Sequence, residues 1–357
     1  MALDYIPEYL SDDARKQIEA MAEKETEPVW APGPVCEWLI KHWCETTEDG
    51  NPLYLDEDFA KESPHGSLIS PPGMLGTWMV QFRWPWPPRD RKPGGTAIHQ
   101  TMKDLLDLPV GIQVDQEVEF YQPLKVGDRL CSSQRLSWIG PWKKTRLGEG
   151  HFWRVDGLFR NQDHEMVARG TSTFFGYGRG TVPVAAPEAP KGGWSNAIEQ
   201  AIQGDRTGYQ PPPFKTLYFE DVGEGDELPK LVMPVTVTRC VYLASATRDF
   251  SPQHSNRDYA QEQSKTKDMF LNTPFFQGMI ARCLTDWTGP EGVIRKIKIA
   301  MRGNICAGDD LIITGKVIKT YQESGENRVD VALDVCNQDG PATSASGTVA
   351  LPSRASS

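Results

Sequence analysis

Residues Thr247 to Ala260 read T-R-D-F-S-P-Q-H-S-N-R-D-Y-A. The carboxylate of Asp249 stands five residues before the imidazole of His254, with Ser251-Pro252 between them. Serine caps the free N–H groups at a helix start, and proline fits the first helical position because it has no N–H to leave unpaired. Such a turn can bring Asp249 back beside His254 at the mouth of a pocket. A carboxylate and an imidazole sharing one water are what is needed to add water across a double bond or to remove it. No histidine but His254 follows His164, so a C-terminal half that uses an imidazole must use this one. The same residues also suit a plain capped turn with a packing histidine, and the spacing alone leaves both readings open.

An echo of the stretch lies 200 residues upstream. Thr47 meets Thr247, Asp49 meets Asp249, Pro52 meets Pro252, Asp58 meets Asp258 and Ala60 meets Ala260, while Tyr54 falls where His254 stands. The agreement continues downstream. Pro72-Gly73-Met74 echoes Gln277-Gly278-Met279, each opening an apolar stretch of helical length. Val126-Gly127-Asp128 echoes Ala307-Gly308-Asp309, Asn161-Gln162-Asp163 echoes Asn337-Gln338-Asp339, and Ala168-Arg169-Gly170-Thr171 echoes Ala345-Ser346-Gly347-Thr348. Turns of this composition between runs of Val, Ile and Phe are what antiparallel strands require. Each half therefore reads as helices followed by about four strands. Strands gathered after helices predict an α+β layer, one curved antiparallel sheet packed on a helix.

The rest of the chain frames these two copies. Its 357 residues suit two domains, and 39% hydrophobic with 24% charged residues is an ordinary globular composition. Residues 5–25 read as a helix, and a second helical stretch begins near Val35 with Trp38, Leu39 and Trp43. Residues 83–96 form an irregular, tryptophan-rich insertion. The Pro-, Gly- and Ala-rich stretch 179–214 reads as a linker, with a short helix near 194–203. The expected organisation is thus an N-terminal repeat over 1–178, the linker, and a C-terminal repeat over 215–357. A net charge of −10 argues against nucleic acid, which needs a basic face. No run of eighteen apolar residues is present to span a membrane. The N-terminus lacks a basic region followed by an apolar core, and the C-terminal R-A-S-S is not a peroxisomal address, so a cytoplasmic location is the default expectation. Seven scattered cysteines without C-x-x-C pairs fit neither a disulfide framework nor a metal site.

The segment A246-T247-R248-D249-F250-S251-P252-Q253-H254 resembles the hydratase signature A-x-G-D-x-N-P-[LI]-H of the MaoC-like dehydratases and (R)-specific enoyl-CoA hydratases. F219-E220-D221-V222-G223-E224-G225-D226 looks like the entry to such a domain. The N-terminal half resembles the fatty-acid-synthase-type dehydratase domain through E48-D49-G50-N51-P52-L53-Y54 and S70-P71-P72-G73-M74. The resemblance covers nearly the whole chain apart from the linker. It implies a double hotdog, two repeats of a long central helix wrapped by a curved antiparallel sheet. Arg248, Ser251 and Gln253 depart from the signature, whereas the Asp, Pro and His that carry the chemistry and the turn are kept. With Tyr54 in place of His, the first copy looks like one that lost catalysis and binds the acyl chain.

The reaction implied is reversible hydration of a trans-2-enoyl-CoA to a 3-hydroxyacyl-CoA, with no cofactor beyond the coenzyme A of the substrate. Asp249 and His254 would activate the water. The backbone N–H of Gly278, at the start of a helix beginning near Met279, would stabilise the thioester oxyanion. Close packing explains that glycine equally well. Ser251 either orients the water or caps the helix, and capping is the first expectation. Coenzyme A phosphates point to Lys296 and Lys298 on one face of a strand and to Arg302 beyond, with Arg295, on the opposite face beside Ile297 and Ile299, a further substrate-binding candidate; a lysine-guarded strand edge explains the same residues. Trp78, Trp84 and Trp86 either pack under the insertion, the first expectation, or line an apolar pocket. The second reading suggests a bulky acyl group such as a steroid side chain. A hotdog acyl-CoA thioesterase and a non-catalytic acyl-CoA-binding subunit are the alternatives, since fold does not decide function. A homodimer is compatible with the sequence.

Overall fold

The structure is a computed structural model and describes residues 3–84, 97–178 and 214–354. Trp86, the insertion from 85 onward and the stretch 179–213, with its expected helix at 194–203, lie outside the described residues. Helix α1 (Asp12–Glu23) and strand β1 (Val29–Trp30) come first. Helices α2 (Glu37–Thr47), α3 (Pro52–Leu55) and α4 (Glu57–Glu62) follow, then a 3-10 turn at Pro72–Met74 that runs into α5 (Leu75–Trp78). After α6 (Ala97–Leu105) come strands β2 (Val110–Phe120), β3 (Cys131–Ile139), β4 (Lys143–Thr145), β5 (Gly148–Arg160) and β6 (Met166–Tyr177). The second repeat has β7 (Leu231–Pro234), α7 (Val237–Thr247), a 3-10 turn at Pro252–His254, α8 (Arg257–Glu262) and α9 (Thr273–Thr288). It ends in β8 (Val293–Met301), β9 (Asp310–Glu323), β10 (Glu326–Asn337) and β11 (Gly340–Leu351). The first helix starts at Asp12 rather than near residue 5, because Ser11 caps it by accepting the Ala14 N–H at 3.3 Å.

The described residues fall into two compact units. One holds 3–34, 78–84, 97–122 and 128–178; the other holds 35–77, 123–127 and 214–354. In the first unit the strands are antiparallel in the order β1-β3-β5-β6-β2, with β4 paired to β5. Ile18 and Ala22 of α1, Ile98 and Met102 of α6, and Leu136, Trp153 and Val155 of the sheet make its core. In the second unit the order is β8-β11-β10-β9-β7, again antiparallel. Helix α9 lies on that sheet: a Cβ on Gly347 of β11 would come within 2.6 Å of the Leu284 side chain. Apolar residues all round α9, from Phe275 to Leu284, are buried, as a helix enclosed on every side requires. Among the described residues no helix is long and apolar enough to cross a membrane.

The repeat seen in the sequence is kept in bond-by-bond detail. Helices α2 and α7, and α4 and α8, begin and end 200 residues apart. Gly127 N–H donates to Val35 O at 2.9 Å, and Gly308 N–H to Val235 O at 2.8 Å; both glycines sit at positive φ, 98° and 92°. Gln162 and Gln338 explain their place in the hairpin turns by reaching back to the glycine turn. Gln162 donates to Asp128 at 3.1 Å and accepts from Arg129 N–H at 2.9 Å, while Gln338 donates to Asp309 at 2.7 Å and accepts from Asp310 N–H at 3.0 Å. Thr171 and Thr348 each donate across the ladder to an aspartate, Asp156 at 3.1 Å and Asp330 at 2.6 Å.

One expectation needs correcting. The second repeat carries a long helix through Gln277-Gly278-Met279, but the first repeat holds only the Pro72–Met74 turn and α5 at the matching place. Pro85, further along the sequence, disfavours helical backbone at Trp84. This short piece crosses α9 at two glycines: a Cβ on Gly73 would stand 2.6 Å from Gly278 Cα and 3.0 Å from Gly278 N. Backbone cannot yield as a side-chain tip can. Gly73→Ala is expected to cost about 1–3 kcal/mol of stability, read by urea unfolding, and no loss would remove the crossing from the account.

Candidate active site

The site begins where α7 ends. Its last turn closes with Thr247 donating to Leu243 O at 2.6 Å, and Arg248 then adopts left-handed backbone, φ 57° and ψ 21°. That reversal carries Asp249 back along the helix end. Ser251-Pro252 starts the 3-10 turn that lifts His254, 5% exposed, to the same place. Asp249 Oδ2 and His254 Nε2 stand 3.5 Å apart, and the Asp249 side chain keeps 30% of its surface open. The imidazole is held by one firm bond, Nδ1 to Phe270 O at 2.7 Å. A carbonyl only accepts, so Nδ1 carries a hydrogen and Nε2 is the nitrogen turned toward Asp249.

The carboxylate is held just as firmly. Ser251 donates to Oδ1 twice, from its N–H at 3.1 Å and its hydroxyl at 2.7 Å. Asn272, at the cap of α9, points Nδ2 at Oδ2 from 3.4 Å. The Ser251 side chain makes no cap bond, which corrects the capping expectation: its hydroxyl is used on Asp249 instead. The oxyanion expectation also changes. Helix α9 begins at Thr273, so Gly278 lies about one and a half turns inside it, where i→i−4 pairing takes up amide N–H groups. Its missing side chain leaves room for Trp43, which a Cβ would approach to 2.6 Å.

The comparisons with known proteins agree with this picture. The model of the FAS1-like, dehydratase domain region matches residues 33–169. A probable enoyl-CoA hydratase alpha subunit of Thermomonospora curvata is 30% identical over 158 residues, 44% of this chain and 50% of that protein. The 3-oxo-4,17-pregnadiene-20-carboxyl-CoA hydratase beta subunit of Mycobacterium tuberculosis is 35% identical over 106 residues, 26% of this chain and 81% of that protein. The chain belongs to the MaoC-like dehydratase and enoyl-CoA hydratase family. A solved MaoC-like dehydratase superposes with a TM-score of 0.67 at 15% identity, covering 94% of this chain and all of its own. A conserved Mycobacterium tuberculosis protein described as a double hotdog gives 0.57 at 13% identity, covering 92% and 96%. The fold is a double hotdog. The chain spans about half the length of the alpha-subunit relative it matches.

The three departures from the hydratase signature, Arg248, Ser251 and Gln253, each have a place. Arg248 takes the left-handed cap position, Ser251 pins the carboxylate, and Gln253 Nε2 lies 3.4 Å from His254 Nε2. The other expected binding residues are scattered. Arg295 sits at a bulge in β8, which lets Ile294 as well as Ile297 and Ile299 face inward, and it pairs with Glu326. It therefore does not share a face with Ile297 and Ile299 as the alternation predicted. Lys296 is half-buried, Lys298 and Arg302 are exposed. Trp78 is buried and Trp84 is 76% exposed, so neither is shown lining a pocket.

The first copy of the turn buries its carboxylate. Glu48 repeats the left-handed cap at φ 55°, and Asp49 accepts the Asn51 N–H at 3.1 Å, as Asp249 does that of Ser251. Asp49 is 4% and Tyr54 3% exposed, and the contrast with the second copy lies in Asp249, whose side chain keeps 30% of its surface open. Burial, reinforced by nearby Asp286, pushes the Asp49 carboxyl up to about 7. The same burial, with Asp49 beside it, raises the Tyr54 phenol well above its ordinary range. The mutation Asp49→Asn is thus expected to alter stability rather than substrate affinity. A raised carboxyl binds its proton more tightly folded than unfolded, so wild-type stability falls as pH rises from about 4 to about 7. Asp49→Asn removes this contribution, which for one proton has a slope of about 1.4 kcal/mol per pH unit. Parallel pH profiles of urea midpoints for the two proteins would contradict it. Among the described residues no cluster of His, Cys, Asp and Glu could hold a metal ion, and all seven cysteines are free.

Proposed function

We propose that this protein catalyses reversible hydration of a trans-2-enoyl-CoA to a 3-hydroxyacyl-CoA. The observation that carries the proposal is the 3.5 Å approach of the imidazole Nε2 to a carboxylate whose other oxygen already accepts twice from Ser251. One water about 2.8 Å from each group fits that gap from the open side. Its oxygen bonds to C3 while the pair takes its proton; the C2–C3 electrons move to the thioester carbonyl as an enolate. The pair then returns a proton to C2 on the same face. Nothing is oxidised and no bond to sulfur breaks. The positive end of α9, marked by Asn272 next to Asp249, favours the charge that builds on the thioester oxygen.

The substrate identity extends the proposal. A relative named as a pregnadiene-carboxyl-CoA hydratase subunit supports a polycyclic acyl group, with the first repeat, 1–178, having lost catalysis and 215–357 keeping it. Lys296, Lys298 and Arg302 are offered as phosphate contacts. Relatives named as alpha and beta subunits leave two associations to separate, a homodimer or a complex with a further subunit, and light scattering of the purified chain distinguishes them. The chemistry itself is tested by following the ultraviolet band of crotonyl-CoA and of a steroid-side-chain enoyl-CoA together with a thiol reagent. Loss of the band without free thiol is the expected result. Free thiol makes the protein a thioesterase, and no change makes it a binder.

A further inference from the structure

Asn272 is buried, 3% exposed, and lies 23 residues beyond Asp249 in sequence. Each end of its amide has a separate task. Oδ1 accepts the Phe275 N–H at 3.0 Å, which caps α9, and the backbone O accepts Phe276 N–H at 3.1 Å. Nδ2 donates to Thr247 Oγ1 at 2.8 Å and faces Asp249 Oδ2 at 3.4 Å. Thr247 in turn receives Asp249's own N–H at 3.4 Å. One side chain therefore ties the end of α7, the carboxylate and the start of α9 together.

We propose that Asn272 is a positioning residue for the hydration reaction: it fixes the rotation of the Asp249 carboxylate so that Oδ2 faces His254 Nε2. Ser251 alone holds Oδ1 and leaves the plane free to swing about that oxygen; the second donor, on the other oxygen, stops the swing. The first repeat supplies the contrast within the same chain. The bridge Ile69–Lys125 repeats the bridge Phe270–Cys306, and the Ser70 N–H on Leu124 O repeats the Leu271 N–H on Ile305 O, which sets Pro71 at the cap position of Asn272; proline has no side-chain donor to offer a carboxylate. There, among the described residues, the Asn51 N–H is the hydrogen-bond donor to Asp49, and the copy has Tyr54 where the imidazole would be. The amide accompanies the imidazole.

This inference rests on the hydratase reading, and its test separates the two. Aspartate and serine both cap helices, so Asn272→Asp and Asn272→Ser keep the Phe275 bond while removing the donor to Asp249. Initial rates of enoyl-CoA hydration from pH 5 to 9 are compared for wild type, both variants and Asp249→Asn. The inference expects kcat to fall at least about 10-fold in both variants with KM within about 3-fold. It also expects the acid limb of kcat/KM to move upward in Asn272→Asp, where a like charge faces Asp249, and to move less in Asn272→Ser. A structural role alone would change thermal midpoints and leave that limb in place. Unchanged kcat and an unmoved limb in both variants overturn the inference while the reaction stands. A wild type that does not hydrate, or an Asp249→Asn variant that does, overturns the reading beneath it.

Discussion

Asp249→Asn and His254→Ala are each expected to lower kcat for enoyl-CoA hydration by about 10²–10⁴-fold, with KM within a few-fold. The amide that Asp249→Asn introduces could still accept from Ser251, so the turn survives, but it cannot take a proton from water. Its new N–H₂ would also meet Asn272 Nδ2 donor to donor, where the carboxylate accepted. Removing the imidazole leaves Phe270 O without its donor and Asp249 without the nitrogen 3.5 Å away. Because one water is shared by both groups, their losses are expected not to add: the double variant should fall about as far as either single one. Circular dichroism of the variants checks that the fold persists. Either single variant retaining more than about a tenth of wild-type kcat would remove the pair from the mechanism.

What could be read in the sequence is what short-range chemistry encodes. The turn from Thr247 to His254 is built from neighbours, and its copy at 47–60 repeats side chain by side chain, so both were visible together with the α+β layer. The left-handed caps at Glu48 and Arg248 were hidden, because neither residue type advertises positive φ. Long-range partners were hidden for a different reason. L-N-T-P-F-F does carry a helix-start signal, an Asn before a Pro at the helix opening, but nothing in it announces that the same amide reaches Asp249. The bulge at Arg295 shifts the inward face of β8 by one residue, which strict alternation cannot foresee. A glycine before an apolar run suits an oxyanion donor and close packing equally well, and only the partners Trp43 and Gly73, 235 and 205 residues upstream, show the packing. The arginines that tie the two copies of the turn were invisible for the same reason. Arg239 donates to Thr46 O at 3.0 Å and to Glu48 at 2.6 Å, and Arg282 donates to Thr47 O at 2.6 Å.

Arg282→Met is expected to cost about 3–5 kcal/mol of stability at neutral pH, the largest loss foreseen for any single side chain outside catalysis. Arg282 is buried in the middle of α9, with Nε 3.2 Å from Asp286 and Nη1 on the last carbonyl of α2. Methionine fills a similar volume, so the loss measures charge and hydrogen bonding rather than a cavity. It strands the Thr47 carbonyl and leaves Asp286 buried without this cation. Burial already holds Asp286 above its ordinary range against the pull of Arg282, and that same cation lowers Asp49. With the cation gone both carboxyls rise further. A carboxyl raised in the folded state destabilises as pH climbs from its unfolded value through its folded one, so the deficit should be smaller at about pH 5 than at about pH 8. Arg282→Met combined with Asp286→Leu should recover much of the loss, since an apolar pair of similar volume has no charge left to bury. Urea unfolding of the three proteins at both pH values decides the matter. A deficit below about 1 kcal/mol, or one that does not change with pH, would mean that water reaches this cluster and that Arg282 acts as a surface group.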